Sequence, residues 1–122
     1  MTLLVANKPL LVAETNITAN ILDASAGPHA LTFSQHKQIL TIVNGDVGSI
    51  TVNLLGDGVT SYICPTFGTI VVSAGKDIVV AAGDTVEVYT AKYGAYLGAD
   101  GNNVAITITS ATALSSIYLS EY

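Results

Sequence analysis

Residues 73–77, Ser-Ala-Gly-Lys-Asp, contain the glycine–lysine pair that ends many phosphate-binding loops. Such a loop has a glycine, four further residues, the Gly-Lys pair, and then a Ser or Thr. Here six residues separate the nearest upstream glycine, Gly68, from Gly75, and the residue after the lysine is Asp77, which would repel phosphate. The β-branched run at 78–80 is typical of a strand, whereas a phosphate loop opens a helix. The spacing predicts a turn between strands and no nucleotide site.

The remaining residues that could support catalysis are few. His29 and His36 are the two histidines, and no carboxylate stands at a recognised metal-ligand spacing from either. Cys64, the single cysteine, has no histidine near it in sequence, and a free cysteine usually behaves as a small apolar side chain. Residues 100–103, Asp-Gly-Asn-Asn, are too short for a calcium loop and predict a turn. The sequence therefore predicts no enzyme, no cofactor and no metal site.

Aromatic residues offer a second kind of chemistry, the binding of sugars or of protein partners. The chain has no Trp and six Tyr, of which Tyr93 and Tyr96 lie in the longest stretch without strand character, 92–103. A tyrosine in a loop combines an apolar ring with a polar tip, which suits an interface. Protein contact and sugar platform both remain open for these two residues.

The composition limits the possible partners. The chain of 122 residues has nine acidic residues, four lysines and no arginine, giving a net charge of −5. The scattered lysines predict no nucleic-acid partner, because such binding needs clustered cations. No apolar run approaches the roughly 18 residues of a membrane span. Only 11 % of residues are charged while 50 % are hydrophobic, which predicts burial of surface against other chains, most simply in a homo-oligomer. A monomer kept soluble by Ser and Thr is the alternative.

The N-terminal residues 1–13 are apolar, but they make a poor signal peptide, because no basic residue precedes the apolar run and a Lys-Pro pair interrupts it. With a single cysteine, this predicts folding in a cytoplasm. Chain ends are mobile unless they are tied down, so an apolar end is a candidate contact segment. The candidate contact residues are Leu3, Leu4, Val5 and Leu10 here, with Tyr93 and Tyr96 in the later loop. An edge strand at 10–13 is the alternative for this segment.

Alternation of apolar and polar residues predicts strands throughout and no helix. Residues 38–44 and 49–55 are predicted to form a hairpin around the loop 45–48. The expected strands are 10–13, 17–22, 30–33, 38–44, 49–55, 59–63, 69–73, 77–81, 85–90, 104–109 and 116–120. Their spacing predicts a single-domain, all-β sandwich of about eight to ten short antiparallel strands, with a jelly-roll-like arrangement.

The repeated pair Ala-Gly, at 74–75 and 82–83, separates three of these strands. Each glycine is followed by polar residues and lies between β-branched runs, so both positions predict tight turns. The region 49–90, with its segment VSAGKDIVVAAGDTV in a short, acidic chain without arginine, resembles the small capsid decoration (cement) proteins of tailed bacteriophages. The resemblance lies in this glycine-punctuated β pattern.

That resemblance implies a β-rich virion structural protein without catalytic residues. It would bind the outer surface of the mature capsid as a homotrimer, hold neighbouring subunits of the major capsid protein together, and be made in the host cytoplasm. Contacts repeated by symmetry would provide avidity. The segment AAGDTVEV at 81–88 also resembles strand starts of surface sandwiches. A receptor- or glycan-binding domain of a viral fibre or bacterial adhesin, with a ligand at 93–103, is therefore the alternative. A small β-sandwich enzyme or metal-binding module is a third class, without an identified site.

The turn at Gly75 and Lys76 yields a direct test. Titration calorimetry with magnesium–ATP should give no heat of binding, because the loop spacing is wrong and Asp77 repels phosphate. A micromolar affinity that disappears in Lys76→Ala would contradict this prediction.

Overall fold

The structure, a computed structural model, describes residues 2–7, 21–27, 29–35 and 37–121. Within these ranges the chain forms twelve strands, two 3₁₀ turns and one short helix. The strands are β1 (Thr2–Leu3), β2 (Ala6–Asn7), β3 (Leu22–Asp23), β4 (His29–Thr32), β5 (Gln38–Val43), β6 (Ile50–Gly56), β7 (Ser61–Cys64), β8 (Gly68–Val71), β9 (Lys76–Val80), β10 (Thr85–Tyr89), β11 (Asn103–Thr109) and β12 (Ser116–Glu121). The predicted strand 10–13 and most of 17–22 lie outside the described residues.

Two sheets pack face to face and confirm the predicted all-β sandwich. The first sheet has the order β1-β4-β11-β6-β9, and the second has β10-β5-β12-β2, with β3 also pairing with β12. On β6 the predicted alternation is confirmed, because Ile50, Val52 and Leu54 are buried while the intervening residues are partly exposed. Apolar side chains that alternate in this way from both sheets form one core.

The predicted hairpin of residues 38–55 is wrong. β5 belongs to the second sheet and β6 to the first, so residues 44–49 cross from one sheet to the other. An alternating pattern shows which face of a strand points inward, but not which of two facing sheets the strand joins. Both strands satisfy the pattern, since Leu40 on β5 and Val52 on β6 reach the same core from opposite sides.

The three strands around the Ala-Gly pairs are likewise distributed over three sheets. β8 pairs only with β7 among the described strands, β9 joins the first sheet, and β10 joins the second. The two turns themselves are confirmed: Gly75 and Gly83 have φ values of +75° and +77°, which favour glycine. The β7–β8 pair belongs to neither large sheet. The jelly-roll-like arrangement stays a prediction.

Residues 92–103, expected to be irregular, contain helical structure. A 3₁₀ turn (Thr90–Tyr93) leads into α1 (Gly94–Leu97), which buries Leu97. The backbone of Leu97 lies directly on Gly56, where a Cβ atom would collide with it. Single helical turns are too short to show a 3.6-residue period, so the pattern could not reveal them.

The N-terminal residues join both sheets. β1 pairs with β4 in the first sheet, and β2 pairs with β12 in the second, in both cases in parallel rather than in the expected antiparallel sense. Between them Leu4 is buried in the core, and its amide donates to the carbonyl of Ala30 at 2.8 Å. Residues 2–7 therefore close one side of the sandwich.

Two adjacent leucines test this closure. Leu4→Ala should lower the free energy of unfolding by about 2–5 kcal/mol, because it removes a buried side chain and leaves a cavity. Leu3→Ala, its matched control, should change it by less than about 1 kcal/mol, since that side chain is 54 % exposed. Urea denaturation measures both values, and equal small losses would show that residues 2–7 do not belong to the core.

Candidate functional site and interaction surfaces

The glycine–lysine segment has the geometry of a strand connection. The amide of Gly75 donates to the carbonyl of Val72 at 2.9 Å, and β9 begins at the next residue. The side chain of Asn53 holds the turn from β6, donating to the carbonyl of Ala74 at 2.9 Å and to the carboxylate of Asp77 at 2.8 Å. Asp77 thus takes part in a turn contact.

The residues considered for catalysis or metal binding are dispersed. His29 is buried at the start of β4, and its Nε2 lies 3.0 Å from the carbonyl oxygen of Asp23, which can only accept a hydrogen bond. Its Nδ1 has no partner among the described residues. Cys64 is half-buried at the end of β7, and His36 lies outside the described residues. Across the described ranges, no three His, Cys, Asp or Glu side chains form a group that could hold a metal.

The turn predicted at residues 100–103 lies one residue earlier, at 99–102, because Asn103 already belongs to β11. The polar side chains of this turn hold neighbouring loops. The carboxylate of Asp100 accepts from the amide of Gln35 at 2.8 Å. Asn102 donates to the carbonyls of Leu97 at 2.8 Å and Asp57 at 3.1 Å. Gly101, at φ +88°, supplies the turn conformation.

The densest polar cluster lies at the other end of the strands, and we call it the loop clamp: Asn44, Asp46, Thr112 and Ser115. Asp46 accepts from the hydroxyl and, at 3.0 Å, from the amide of Thr112, and from the hydroxyl of Ser115 at 3.0 Å. The carbonyl oxygen of the Asn44 side chain accepts from the Asp46 amide at 2.9 Å and lies 3.1 Å from the Ser115 hydroxyl. The clamp joins loop 44–49 to loop 110–115.

The loop clamp also contacts the connection between β9 and β10. The side-chain nitrogen of Asn44 lies 3.0 Å from the carbonyls of Gly48 and Val80 and 3.1 Å from that of Ala81. The backbone amide of Asn44 donates to the carbonyl of Asp84 at 2.8 Å. Asn44 is fully buried, so these contacts are shielded from water.

Hydrogen bonding favours the charged form of Asp46. The Thr112 hydroxyl lowers the pKa of its carboxyl group, burial opposes that effect, and the Ser115 hydroxyl and the Thr112 amide lower it further. Donors that bind the charged form favour it over the neutral form. At neutral pH the clamp is therefore built around a carboxylate.

The clamped loops carry two apolar side chains into solvent. Val47, in the middle of loop 44–49, is fully exposed, and Leu114 on the facing loop is 69 % exposed. The backbone of Leu114 lies against Gly45, where a Cβ atom would collide with its carbonyl oxygen. We call this surface the clamped loop end. It consists of the exposed side chains of Val47 and Leu114 on the two loops that the loop clamp joins.

A second apolar surface is the β7–β8 hairpin. β6 starts beside the clamp and ends at Gly56, so the hairpin that follows it lies at the opposite end of the strands. Ile63 and Val71 lie on one face of the hairpin, and Phe67 lies in its turn; all three are at least 74 % exposed. No Asp, Glu, Lys or Arg occurs between Asp57 and Lys76.

A shallow cleft lies beside the base of this hairpin, on the outer face of the first sheet. Its floor follows a row of paired residues across three strands: Ala30, Ala105 and Leu55. Turn residues 57–60 and Ser73 form its walls, and its volume is about 490 Å³. The row is apolar because small or aliphatic side chains occupy every position.

The candidate contact residues from the sequence are divided by the fold. Leu3 and Val5 are exposed on the N-terminal edge, whereas Leu4 is a core residue and offers no surface to a partner. Tyr93 and Tyr96 are half-buried against the core, with ring centroids 6.5 Å apart in an edge-on arrangement. Leu10 lies outside the described residues.

Comparison with known protein families, with curated proteins and with solved structures gives no match. In the described part of the chain, no helix has the length and apolar content needed to cross a membrane.

Acid titration tests the clamp. The folded-state pKa of Asp46 lies below its unfolded value, so its stabilising contribution is complete above about pH 4 and disappears as the pH falls through the folded pKa. The unfolding free energy of wild type should therefore exceed that of Asp46→Asn by a larger margin at pH 7 than at pH 3. Urea denaturation across this range measures the difference.

Asp84→Asn is the matched control, because Asp84 is exposed in the neighbouring turn and only its backbone groups contact the clamp region. Its difference from wild type measures the effect of removing an exposed carboxylate that is not part of the clamp. A pH-independent Asp46→Asn difference would show that the clamp does not depend on the carboxylate charge.

Proposed function

We propose that this protein is a non-enzymatic virion structural protein that decorates the outer surface of a tailed-phage capsid and holds neighbouring major-capsid subunits together. The observation that carries the proposal is the clamped loop end, where Val47 and Leu114 are exposed on loops that buried hydrogen bonds hold in place. Isolated exposed apolar residues are common on proteins. A pair presented by an organised polar network is better explained by a partner surface.

The clamp also makes this surface suitable for binding. Association is costly when loops must be ordered, and each immobilised side chain costs roughly 0.5–1.5 kcal/mol. Loops 44–49 and 110–115 are already ordered by Asn44 and Asp46. A small contact of this kind is weak alone, but a trimer on a symmetric shell repeats it and gains avidity.

The use of the polar residues supports a binding role rather than catalysis. Asp46 and Asn44 bind backbone groups and hydroxyls of their own fold, and Asn102 and Asp100 do the same at the opposite end. These side chains therefore hold loops of the protein in place. We propose that the protein acts on the virion surface after synthesis in the host cytoplasm.

The alternative is a receptor- or glycan-binding domain using residues 93–103. A sugar platform needs an open aromatic face. The ammonium groups of Lys76 and Lys92 lie 5.4 and 5.8 Å from the ring centroid of Tyr93, and Tyr96 meets that ring edge-on. This arrangement does not favour a sugar platform, and the capsid proposal is preferred.

Polar substitutions of the two exposed apolar side chains test the shell contact. Capsids of the cognate phage assembled without this protein should bind wild type saturably, and Val47→Thr with Leu114→Thr should weaken binding roughly tenfold or more. Val79→Thr, on the exposed face of β9, is the matched control and should bind like wild type. Co-sedimentation at several protein concentrations measures the affinity.

A second readout tests stabilisation. Saturating protein should raise the disruption temperature of the shells, because a ligand specific to the intact state stabilises it. Saturable binding without any rise would contradict the stabilising role. Failure to bind shells, together with binding to glycans or cells, would favour the receptor-binding alternative.

A further inference from the structure

A hydroxyl group and a carboxamide meet in the interior of the protein, where β10 ends beside the start of β5. Thr90, the first residue after β10, and Gln38, the first residue of β5, are both fully buried. The Thr90 hydroxyl donates to Oε1 of Gln38 at 2.8 Å, whereas its contact with the Gln38 backbone carbonyl is longer, at 3.4 Å. Buried polar side chains are usually hydrogen-bonded, but this pair also places a nucleophile beside an acyl carbon.

The carbon that the hydroxyl oxygen would attack is Cδ of Gln38. Since Cδ is joined to Oε1 by a bond of about 1.23 Å, the Thr90 oxygen lies at most about 4 Å from it. Reacting atoms at roughly 3–3.5 Å are in a near-attack geometry, so a shift of about 1 Å or less brings these two together.

Backbone groups of the preceding loop fix the carboxamide. The amide of Ser34 donates to Oε1 of Gln38 at 3.2 Å, and Nε2 donates to the carbonyl of Thr32 at 2.9 Å. These contacts identify the oxygen and the nitrogen, because a backbone amide only donates and a carbonyl only accepts. Negative charge would develop on Oε1 when an oxygen adds to Cδ, and a donor aimed at that atom stabilises it. The Ser34 amide therefore acts as one donor of an oxyanion hole.

A carboxylate lies at the nitrogen that would leave. Oε1 of Glu121, in the last residue of β12, accepts from Nε2 of Gln38 at 3.3 Å. Once the Thr90 oxygen has added to Cδ, that oxygen and Nε2 share one carbon, so the same carboxylate is within reach of both atoms. It can accept the proton of the oxygen and donate it to the nitrogen, which is the work of a general base and acid.

We propose that Thr90 and Gln38 react to form an ester within the chain, which joins the end of β10 to the start of β5. The bond between Thr90 Oγ1 and Gln38 Cδ forms, and the bond between Cδ and Nε2 breaks. The hydroxyl proton passes through Glu121 to the nitrogen, which leaves as ammonia. The step balances without an oxidant, a reductant or a co-reactant. It occurs once in each chain, and burial then shields the ester from hydrolysis.

The ester fastens an edge strand. β10 lies at the edge of the second sheet and pairs only with β5 among the described strands. Edge strands are the places where sheets pair with other chains or exchange strands. The linked residues lie 52 positions apart, so the bond also constrains a long loop of the unfolded chain. This property belongs to the isolated chain, and its test is independent of the capsid proposal.

The mass of the intact, folded chain tests the proposal. Wild type should be lighter than its sequence by the mass of one ammonia molecule. Thr90→Val, which keeps the shape of the side chain without the hydroxyl, should have its full mass, whereas Thr90→Ser should still lose ammonia. Glu121→Gln should slow the loss roughly tenfold or more. Thr85→Val, at the exposed start of β10, is the matched control and should lose ammonia like wild type.

Peptide mapping of wild type locates the bond without relying on any variant. Cleavage after lysine places Gln38 in the peptide 38–76 and Thr90 in the peptide 77–92. The two peptides should appear as one joined species. Mild hydroxylamine treatment of the digest, which cleaves esters and spares ordinary peptide bonds, should separate them and leave a hydroxamate on Gln38.

Two results would overturn the ester. One is folded wild type that keeps its full sequence mass after prolonged incubation. The other is a loss of ammonia that persists in Thr90→Val, because it then arises at another residue, such as Asn44, whose neighbour Gly45 permits succinimide formation. Formation of the joined peptide at the wild-type rate in Glu121→Gln would contradict the proton route through that carboxylate.

Discussion

Of the connections between the two sheets at one end of this sandwich, three are in contact with the buried side chains of Asn44 and Asp46. The chain crosses between sheets from β5 to β6, from β9 to β10, and from β11 to β12. Asn44 reaches the second crossing through the carbonyls of Val80 and Ala81, and Asp46 reaches the third through Thr112 and Ser115. Leaving a buried carbonyl without a donor costs about 1–3 kcal/mol, so these positions strongly constrain how the sheets connect.

The two exposed apolar surfaces lie at opposite ends of the strands, and the loop clamp holds one of them. The clamp fixes the loops that carry Val47 and Leu114, while the hairpin with Phe67 follows β6 at the opposite end. A partner bound at one of these surfaces therefore does not block the other.

Local features of the fold were predictable from sequence, whereas long-range partners were not. The alternation on β6, the glycine turns at Gly75 and Gly83, and the end of β7 before Pro65 follow from the preferences of individual residues. The assignment of strands to sheets depends on which inward faces meet, and a period of two carries no such information.

The interaction surfaces, too, were only partly predictable from the sequence. Asp46 looked like an ordinary turn residue, because its partners Thr112 and Ser115 lie 66 and 69 positions further along the chain. The uncharged run from 58 to 75 was a visible signal for the hairpin surface, but the cleft beside it exists only once β4, β11 and β6 are aligned. Leu4 shows the opposite case: an apolar N-terminal residue that suggested a partner is used by the core.

Electron cryo-microscopy of cognate capsids, imaged with and without saturating protein, tests the central claim most directly. If the central claim holds, added density appears on the outer surface, with loops 44–49 and 110–115 against the shell. Capsids without added density, or density in which the hairpin tip contacts the shell and the clamped loop end faces solvent, would contradict it.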